Sequence, residues 1–196
     1  MKNNKIIFIH INKCGGTSMK HIVEEYSHIK IPSNDDIISL KNKNSWNESI
    51  KITFVRNPYT RLLSLFHMLK RDGYQSTLDE VIDIITNKNI KYLVSDGGLK
   101  PRSKEYIRRH GLPMTHKHYG VINDDLSLDI DYVYKLEELQ DKWDEIKQIT
   151  QINKDLVKLN VSKNKNKIDV FTKKQLSKIN EYYNNDFICF NYEKIE

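Results

Sequence analysis

The stretch from Lys5 to Val23 changes its hydrophobic period partway along, and this change constrains the fold more than any other feature of the chain. Ile6 to Ile9 form a continuous apolar run, which is typical of a parallel strand covered on both faces. After Thr17 the apolar residues recur at helical spacing, at Met19, Ile22, Val23 and Tyr26. A buried strand that leads directly into an amphipathic helix predicts an α/β architecture.

The link between this strand and helix has the composition of a phosphate-binding loop. It reads Asn-Lys-Cys-Gly-Gly-Thr-Ser, in which Gly15 and Gly16 let the backbone turn sharply and approach a ligand closely. The amides at the helix start favour a bound phosphate. Thr17 and Ser18 add hydroxyl donors, and Lys13 adds a positive charge. Because the lysine precedes the glycines, the nucleoside triphosphate pattern Gly-x-x-x-x-Gly-Lys-Ser/Thr is absent.

Two motifs together resemble a known family. The first loop resembles the Lys-Thr-Gly-Gly-Thr-Ser loop of sulfotransferases that use 3′-phosphoadenosine 5′-phosphosulfate (PAPS), in the carbohydrate sulfotransferase branch. Residues 56–64 read Arg-Asn-Pro-Tyr-Thr-Arg-Leu-Leu-Ser and resemble the Arg-Asn/Asp-Pro-x-x-Arg-x-x-Ser motif that holds the 3′-phosphate in this family. The motifs follow the family's order. The resemblance implies one P-loop-like α/β domain over residues 1–196, with a short central parallel β-sheet flanked by helices.

The resemblance also implies binding roles for individual residues. The 5′-phosphate is expected to contact the first loop, at Lys13, Cys14, Gly15, Gly16, Thr17 and Ser18. The 3′-phosphate is expected to contact Arg56 and Ser64. A family loop that closes over the nucleotide corresponds to residues 159–167, so Ser162 and Lys163 are expected to contact PAPS. The Asn/Lys-rich composition of that segment predicts a solvated loop equally well.

Sulfuryl transfer from PAPS to a hydroxyl is an in-line displacement at sulfur. The enzyme accelerates it mainly by positioning the reactants and stabilising the developing charge, and the reaction requires no metal. The leaving 5′-phosphate gains negative charge, so Lys13 is the first catalytic candidate. The acceptor hydroxyl needs a general base that titrates near neutrality. Related enzymes use a His or Glu between the two motifs, which points to His28. Further base candidates are Glu24, Glu25, Asp35, Asp36, Glu48, His67, His116 and His118.

Cys14 and Glu137 differ from the other candidate residues in what the sequence predicts for them. Cys14 stands where the family loop has threonine, and a thiol near a helix N-terminus is expected to be unusually reactive. Glu137 matches an acidic residue that ends a strand in the family. A chemical role, a buried structural acceptor and a helix cap all remain open for Glu137.

The charge balance suits an anionic ligand. The chain has 32 basic and 26 acidic side chains and a formal charge of +6, which fits PAPS, an acidic glycan or nucleic acid, and fits a solvated Lys-rich surface equally well. No recognised nucleic-acid-binding module is present. Two cysteines make no disulfide framework, which favours a reducing, cytoplasmic location. A position at the periphery of a membrane glycan-synthesis site is compatible with this expectation. No apolar stretch approaches the roughly 18 residues of a membrane span.

Three functions are compatible with these residues. The first is a PAPS-dependent sulfotransferase that acts on a carbohydrate or another hydroxyl-bearing acceptor and releases 3′,5′-ADP (PAP). The second is a non-catalytic module that binds PAP or an anionic glycan. The third, a nucleotide kinase of related fold, is disfavoured because the Gly-Lys-Ser/Thr sequence is missing.

The remaining elements follow from periodicity and capping signals. Strands are predicted at 51–55 and 131–137. The capping box Thr77-Leu-Asp-Glu80 predicts a helix to about Thr86. Other helices are predicted from Thr17 to Tyr26 or His28 and over 34–40, 58–71, 103–110 and 172–183. A further helix is predicted after the strand at 131–137, through Trp143, Ile146 and Ile149.

Overall fold

The computed structural model describes residues 5–90, 103–156 and 168–196. Ser162 and Lys163 lie outside the described residues, so their expected contacts stay predictions. The strands within the described ranges are β1 (Ile6–Ile9), β2 (Ile29–Lys30), β3 (Ile50–Val55) and β4 (Tyr132–Lys135). The α-helices there are α1 (Gly16–Val23), α2 (Asn34–Lys41), α3 (Asn44–Glu48), α4 (Pro58–Arg71), α5 (Leu78–Thr86), α6 (Lys104–His110), α7 (Leu139–Thr150), α8 (Lys173–Tyr182) and α9 (Asn184–Cys189).

The chain forms two compact units. Unit 1 comprises Met1–Arg56 and Met114–Val161, and unit 2 comprises Asn57–Pro113 and Ser162–Glu196. The four strands belong to unit 1, together with α1, α2, α3 and α7. The expected single domain over the whole chain stays a prediction. Among the described helices, none is both long enough and apolar enough to cross a membrane.

The sheet of unit 1 confirms the α/β prediction. Its strand order is β2-β1-β3-β4, and every neighbouring pair is parallel. All four residues of β1 are buried, as the apolar run predicts. Phe54 of β3 packs edge-on against Phe8 of β1 at 4.8 Å between ring centroids and contacts Tyr134 of β4 at 6.4 Å. These aromatic contacts fix the three strands side by side.

Strand β2 differs from the sequence-based expectation. The spacing of apolar residues predicts that the first helix runs to Tyr26 or His28, but α1 ends at Val23. Ile29 and Lys30 instead pair with Ile6 and Ile7 of β1. Two residues are too few to show any period, so this strand depends on tertiary pairing that local sequence does not reveal.

The described part of unit 2 is helical and has its own core. Asn57 caps α4 by accepting from the amides of Tyr59 and Thr60, and Pro58 occupies the first turn, as predicted. The leucines of α4 join a buried cluster with residues of α5, α6, α8 and α9. The capping box at α5 is confirmed, because Thr77 and Glu80 exchange both side-chain-to-backbone hydrogen bonds.

Candidate active site

The site is positioned by two neighbouring strands of unit 1. β1 and β3 run parallel with Ile9 opposite Thr53, and the Thr53 hydroxyl donates to the Ile9 carbonyl at 2.9 Å. His10 directly follows β1, and Arg56 directly follows β3. Because the carboxyl ends of parallel strands meet at one edge of a sheet, both residues lie at the edge where α/β proteins bind ligands.

The loop after β1 has an unusual backbone. Lys13 has φ 68° and Gly15 has φ 84°, so two residues of this short loop are left-handed. Left-handed φ is ordinary for glycine and costs a lysine about 1–2 kcal/mol. Turns of this kind direct successive amides to one side and create an anion-binding concavity. The backbone strain at Lys13 is therefore located where the sequence predicts the 5′-phosphate.

The start of α1 has no side-chain cap, a feature it shares with α3, α7 and α9. Gly15 is its N-cap and has no side chain to accept from the first amides, and no acidic residue lies in the first turn. Side-chain oxygens cap the other five described α-helices, at Ser33, Asn57, Thr77, Ser103 and Thr172, whereas α1 alone among the uncapped ones begins at a left-handed glycine. The first amides of α1, together with the positive end of the helix dipole, suit an external anion. Thr17 is exposed and Ser18 is half-buried beside them.

Side chains pack against both glycines of the loop and leave no space for a Cβ atom at either position. A Cβ on Gly15 would lie 2.8 Å from the Leu136 Cδ1, just beyond β4, and the left-handed φ also excludes most side chains. A Cβ on Gly16 would lie 1.8 Å from the His10 Cδ2 and 2.2 Å from its Nε2. Gly16 itself is not left-handed. The glycine at position 16 is therefore required by the histidine ring, whereas the glycine at position 15 is required by the backbone as well.

Arg56 reaches the phosphate loop. Its Nη1 donates to the Lys13 carbonyl at 3.4 Å, and its backbone amide lies 3.4 Å from the Met114 Sδ. The guanidinium is half-buried, so it retains access to solvent. The structure thus brings the arginine of the second motif to the loop of the first motif.

Cys14 is buried, with 1% of its surface exposed. Its Sγ lies 3.7 Å from the Met114 Sδ and 3.7 Å from the Asn12 carbonyl oxygen. The sequence predicts a reactive thiol here, but burial shields this sulfur from reagents in solution. Cys14 is a packing residue under the loop.

We expect Cys14 to resist alkylation in the folded protein. Iodoacetamide should label Cys14 at least about tenfold more slowly in buffer than in denaturant, because the thiol is sequestered. Mass spectrometry of the alkylated peptides over time measures both rates. Cys189 is the internal reference, because it is the second cysteine of the chain and is only half-buried. Burial, and to a smaller degree the charge of Asp186, raises the pKa of its thiol. Labelling of Cys14 in buffer as fast as in denaturant would contradict its burial.

His28 lies at the other edge of the sheet. Its carbonyl accepts from the amide of Ile6, the first residue of β1, whereas the loop follows the last residue. Four strand steps of about 3.3 Å separate these ends by roughly 13 Å. The His28 Nε2 donates to the carbonyl of Thr150, the last residue of α7, at 2.9 Å. This geometry favours a helix-capping role for His28 over the catalytic role expected from the sequence.

Replacing His28 with alanine should lower stability and leave transfer intact. We expect the free energy of unfolding to fall by about 1 kcal/mol, because the bond to the α7 carbonyl is lost. The rate of sulfuryl transfer should stay within about twofold, since His28 adjoins the start of β1 whereas the loop follows its end. Urea unfolding and initial rates measure the two quantities. His21→Ala, at an exposed position of α1, is the matched control. A rate loss of 100-fold in His28→Ala would restore the catalytic assignment.

The other histidine candidates are distributed over both units. His116 is half-buried, two residues from Met114, and its Nδ1 accepts from the His118 amide at 3.1 Å. The Nδ1 of His116 is thereby engaged as the cap of the 3₁₀ turn Lys117–Tyr119. His118 is buried, with 3% exposed. His67 is half-buried on α4 of unit 2.

Ser64 lies on α4 of unit 2, where it is half-buried. Its contact with the 3′-phosphate stays a prediction. Glu137 is exposed in the 3₁₀ turn after β4, so it is not the buried acceptor that the sequence allowed.

Over residues 5–90, 103–156 and 168–196, no group of three or more His, Cys, Asp or Glu side chains has an arrangement suited to a metal.

Comparison with protein families gives the deciding observation. The family described as "Sulfotransferase family" matches residues 1–193. The chain belongs to the sulfotransferase family. This sulfotransferase takes its sulfuryl group from PAPS, and the kinase alternative is thereby excluded. Searches of curated proteins and of solved structures gave no match.

Sequence reasoning missed three neighbours of the sulfotransferase loop. His10, Leu136 and Met114 cover Gly16, Gly15 and Cys14, respectively. Only His10 had a usable signal, because it directly follows the strand and stands two residues before the loop. Leu136 and Met114 are more than 90 residues from the loop along the chain, so only the fold brings them to it.

Proposed function

We propose that this sulfotransferase transfers the sulfuryl group of PAPS to a hydroxyl of a carbohydrate acceptor. The observation that supports this most strongly is the contact between the Arg56 Nη1 and the Lys13 carbonyl at 3.4 Å. The 3′- and 5′-phosphates belong to one nucleoside, so the groups that bind them must lie close together. A contact between the two motifs meets this requirement.

The 5′ end of PAPS would bind at the start of α1. The amides of Gly16, Thr17 and Ser18 and the hydroxyls of Thr17 and Ser18 supply donors for its oxygens. Lys13 and Cys14 contribute backbone to the same loop, and Gly15 lets that backbone come close to the ligand. No side chain of the loop brings a negative charge to this place.

Lys13 would act in the chemical step. The acceptor oxygen forms a bond to sulfur while the bond from sulfur to the 5′-phosphate oxygen breaks, and the electron pair stays on that phosphate oxygen. The acceptor proton passes to a base, and 3′,5′-ADP leaves. The Lys13 ammonium stabilises the charge that develops on the phosphate, which is the usual source of catalysis in such displacements. The base is not assigned to a residue.

Arg56 would bind the 3′-phosphate, which distinguishes PAPS from ATP. A guanidinium suits this group because it offers two parallel donors to phosphate oxygens. Ser64, Ser162 and Lys163 keep the nucleotide contacts that the family resemblance implies. The carbohydrate acceptor follows from resemblance to the carbohydrate branch, and the formal charge of +6 is compatible with an acidic glycan.

Transfer of ³⁵S from labelled PAPS to a panel of acceptors tests the proposal. The panel contains neutral glycans, uronic-acid glycans, a phenol and a tyrosine peptide. We expect label on a glycan with the wild type and with Arg71→Ala, and transfer slowed by about 100-fold or more with Lys13→Ala or Arg56→Ala. Arg71 is an exposed arginine on α4 and serves as the matched control. Label confined to the phenol or the peptide, or no transfer by the wild type, would contradict the carbohydrate assignment.

A further inference from the structure

The role of His10 is not explained by the proposed loop contacts. It is the first residue after β1, and its ring edge, Cδ2 and Nε2, occupies the place where a Cβ on Gly16 would lie. The Nε2 is 2.2 Å from that ideal Cβ position. A Cα–C bond adds about 1.5 Å, so the Nε2 lies within about 4 Å of the Gly16 Cα. The imidazole therefore lies against the start of α1.

The direction of the contact matters as much as the distance. The Cα–Cβ bonds of an α-helix tilt toward its N-terminus. A ring edge at the Cβ position of the first residue of α1 therefore lies on the N-terminal side of that residue. An anion held by the first amides of the helix would occupy the same side. His10 is half-buried, so part of the residue is exposed to solvent.

We propose that His10 is a further binding residue of the phosphate loop, whose Nε2 edge contacts the 5′-phosphosulfate of PAPS. The same ring explains Gly16, because any larger residue there would displace the imidazole. This inference rests on the proposed 5′-phosphate site at the start of α1. It adds a residue that lies outside the glycine loop itself and that joins the end of β1 to the ligand.

Four variants separate ligand contact from packing. His10→Ala removes the ring, and His10→Gln keeps a side-chain N–H donor at similar reach. Gly16→Ala introduces the clash, and the double variant His10→Ala/Gly16→Ala removes the clash and the donor together. The melting temperature reports packing, and calorimetric titration with 3′,5′-ADP reports the ligand contact.

We expect His10→Ala to weaken 3′,5′-ADP binding about tenfold or more, as loss of a hydrogen bond to a charged group does, and His10→Gln to recover most of it. Gly16→Ala should lower both the melting temperature and the affinity. The double variant should regain the melting temperature but not the affinity, because a methyl group fills space without donating.

Three results would overturn the inference in distinguishable ways. Wild-type affinity in His10→Ala, or recovery of both quantities in the double variant, would reduce His10 to packing. A double variant that melts as low as Gly16→Ala would contradict the steric argument. Failure of the wild-type protein to bind 3′,5′-ADP at all would overturn the proposed 5′-phosphate site, and the His10 contact with it.

Discussion

Replacing Lys13 with glycine should lower kcat for sulfuryl transfer by about 100-fold or more. Lys13 has φ 68°, a conformation that glycine adopts without cost, so the loop should keep its shape in this variant. The loss then isolates the ammonium group. Because the charge on the leaving phosphate develops during the reaction, kcat should fall much more than the affinity for PAPS. Initial rates over a range of PAPS concentrations separate the two.

Two companion variants make this test sharper. Lys13→Arg keeps a positive charge and should retain more activity than Lys13→Gly, although a guanidinium does not reproduce the geometry of an ammonium. Lys20→Ala, at an exposed position of α1, removes a nearby lysine and should leave the rate within about twofold. A kcat for Lys13→Gly within tenfold of the wild type would contradict a catalytic role for the ammonium.

Replacing Arg56 with alanine should remove the preference for nucleotides with a 3′-phosphate. We expect the affinity for 3′,5′-ADP to fall by about 100-fold, in line with the 2–5 kcal/mol that truncating a hydrogen-bonded charged partner usually costs. The affinity for 5′-AMP should change by less than about threefold, because that nucleotide lacks the group that Arg56 binds. Calorimetric titration of both nucleotides measures the difference.

The comparison of two nucleotides also tests an alternative role for this arginine. Arg56 donates to the Lys13 carbonyl, so its loss could act by loosening the loop. In that case 5′-AMP and 3′,5′-ADP would weaken equally, and direct recognition of the 3′-phosphate by Arg56 would be contradicted. Arg71→Ala, which removes an exposed arginine of α4, should change neither affinity.

The sequence predicts the parts of this site that depend on local pattern. The change from a buried run to helical spacing locates the loop between β1 and α1 within one residue of its observed end. The dipeptide Asn57-Pro58 predicts the start of α4, and the reciprocal bonds of Thr77 and Glu80 confirm the capping box of α5. These features involve residues a few positions apart, where propensity and capping decide the conformation.

Sequence alone fails where distant segments meet. Nothing local predicts that Ile29 and Lys30 pair with β1, or that Met114 covers Cys14 at a separation of 100 residues. The position of His28 shows the same limit, and its catalytic role stays a prediction. His28 lies between the two motifs along the chain, as a base in related enzymes does, but the fold puts it at the edge of the sheet away from the loop. Order along the chain does not specify which end of a strand a residue occupies.

The central claim is that separate residues bind the two phosphates of one nucleotide, and ³¹P NMR of bound 3′,5′-ADP tests it most directly. The 5′- and 3′-phosphates give separate resonances, and both should shift when the wild-type protein is saturated. With Arg56→Ala the 3′ resonance should return toward its free position while the 5′ resonance stays shifted, and Lys13→Gly should perturb mainly the 5′ resonance. Equal perturbation of both resonances by either variant, or no shift with the wild type, would contradict the account.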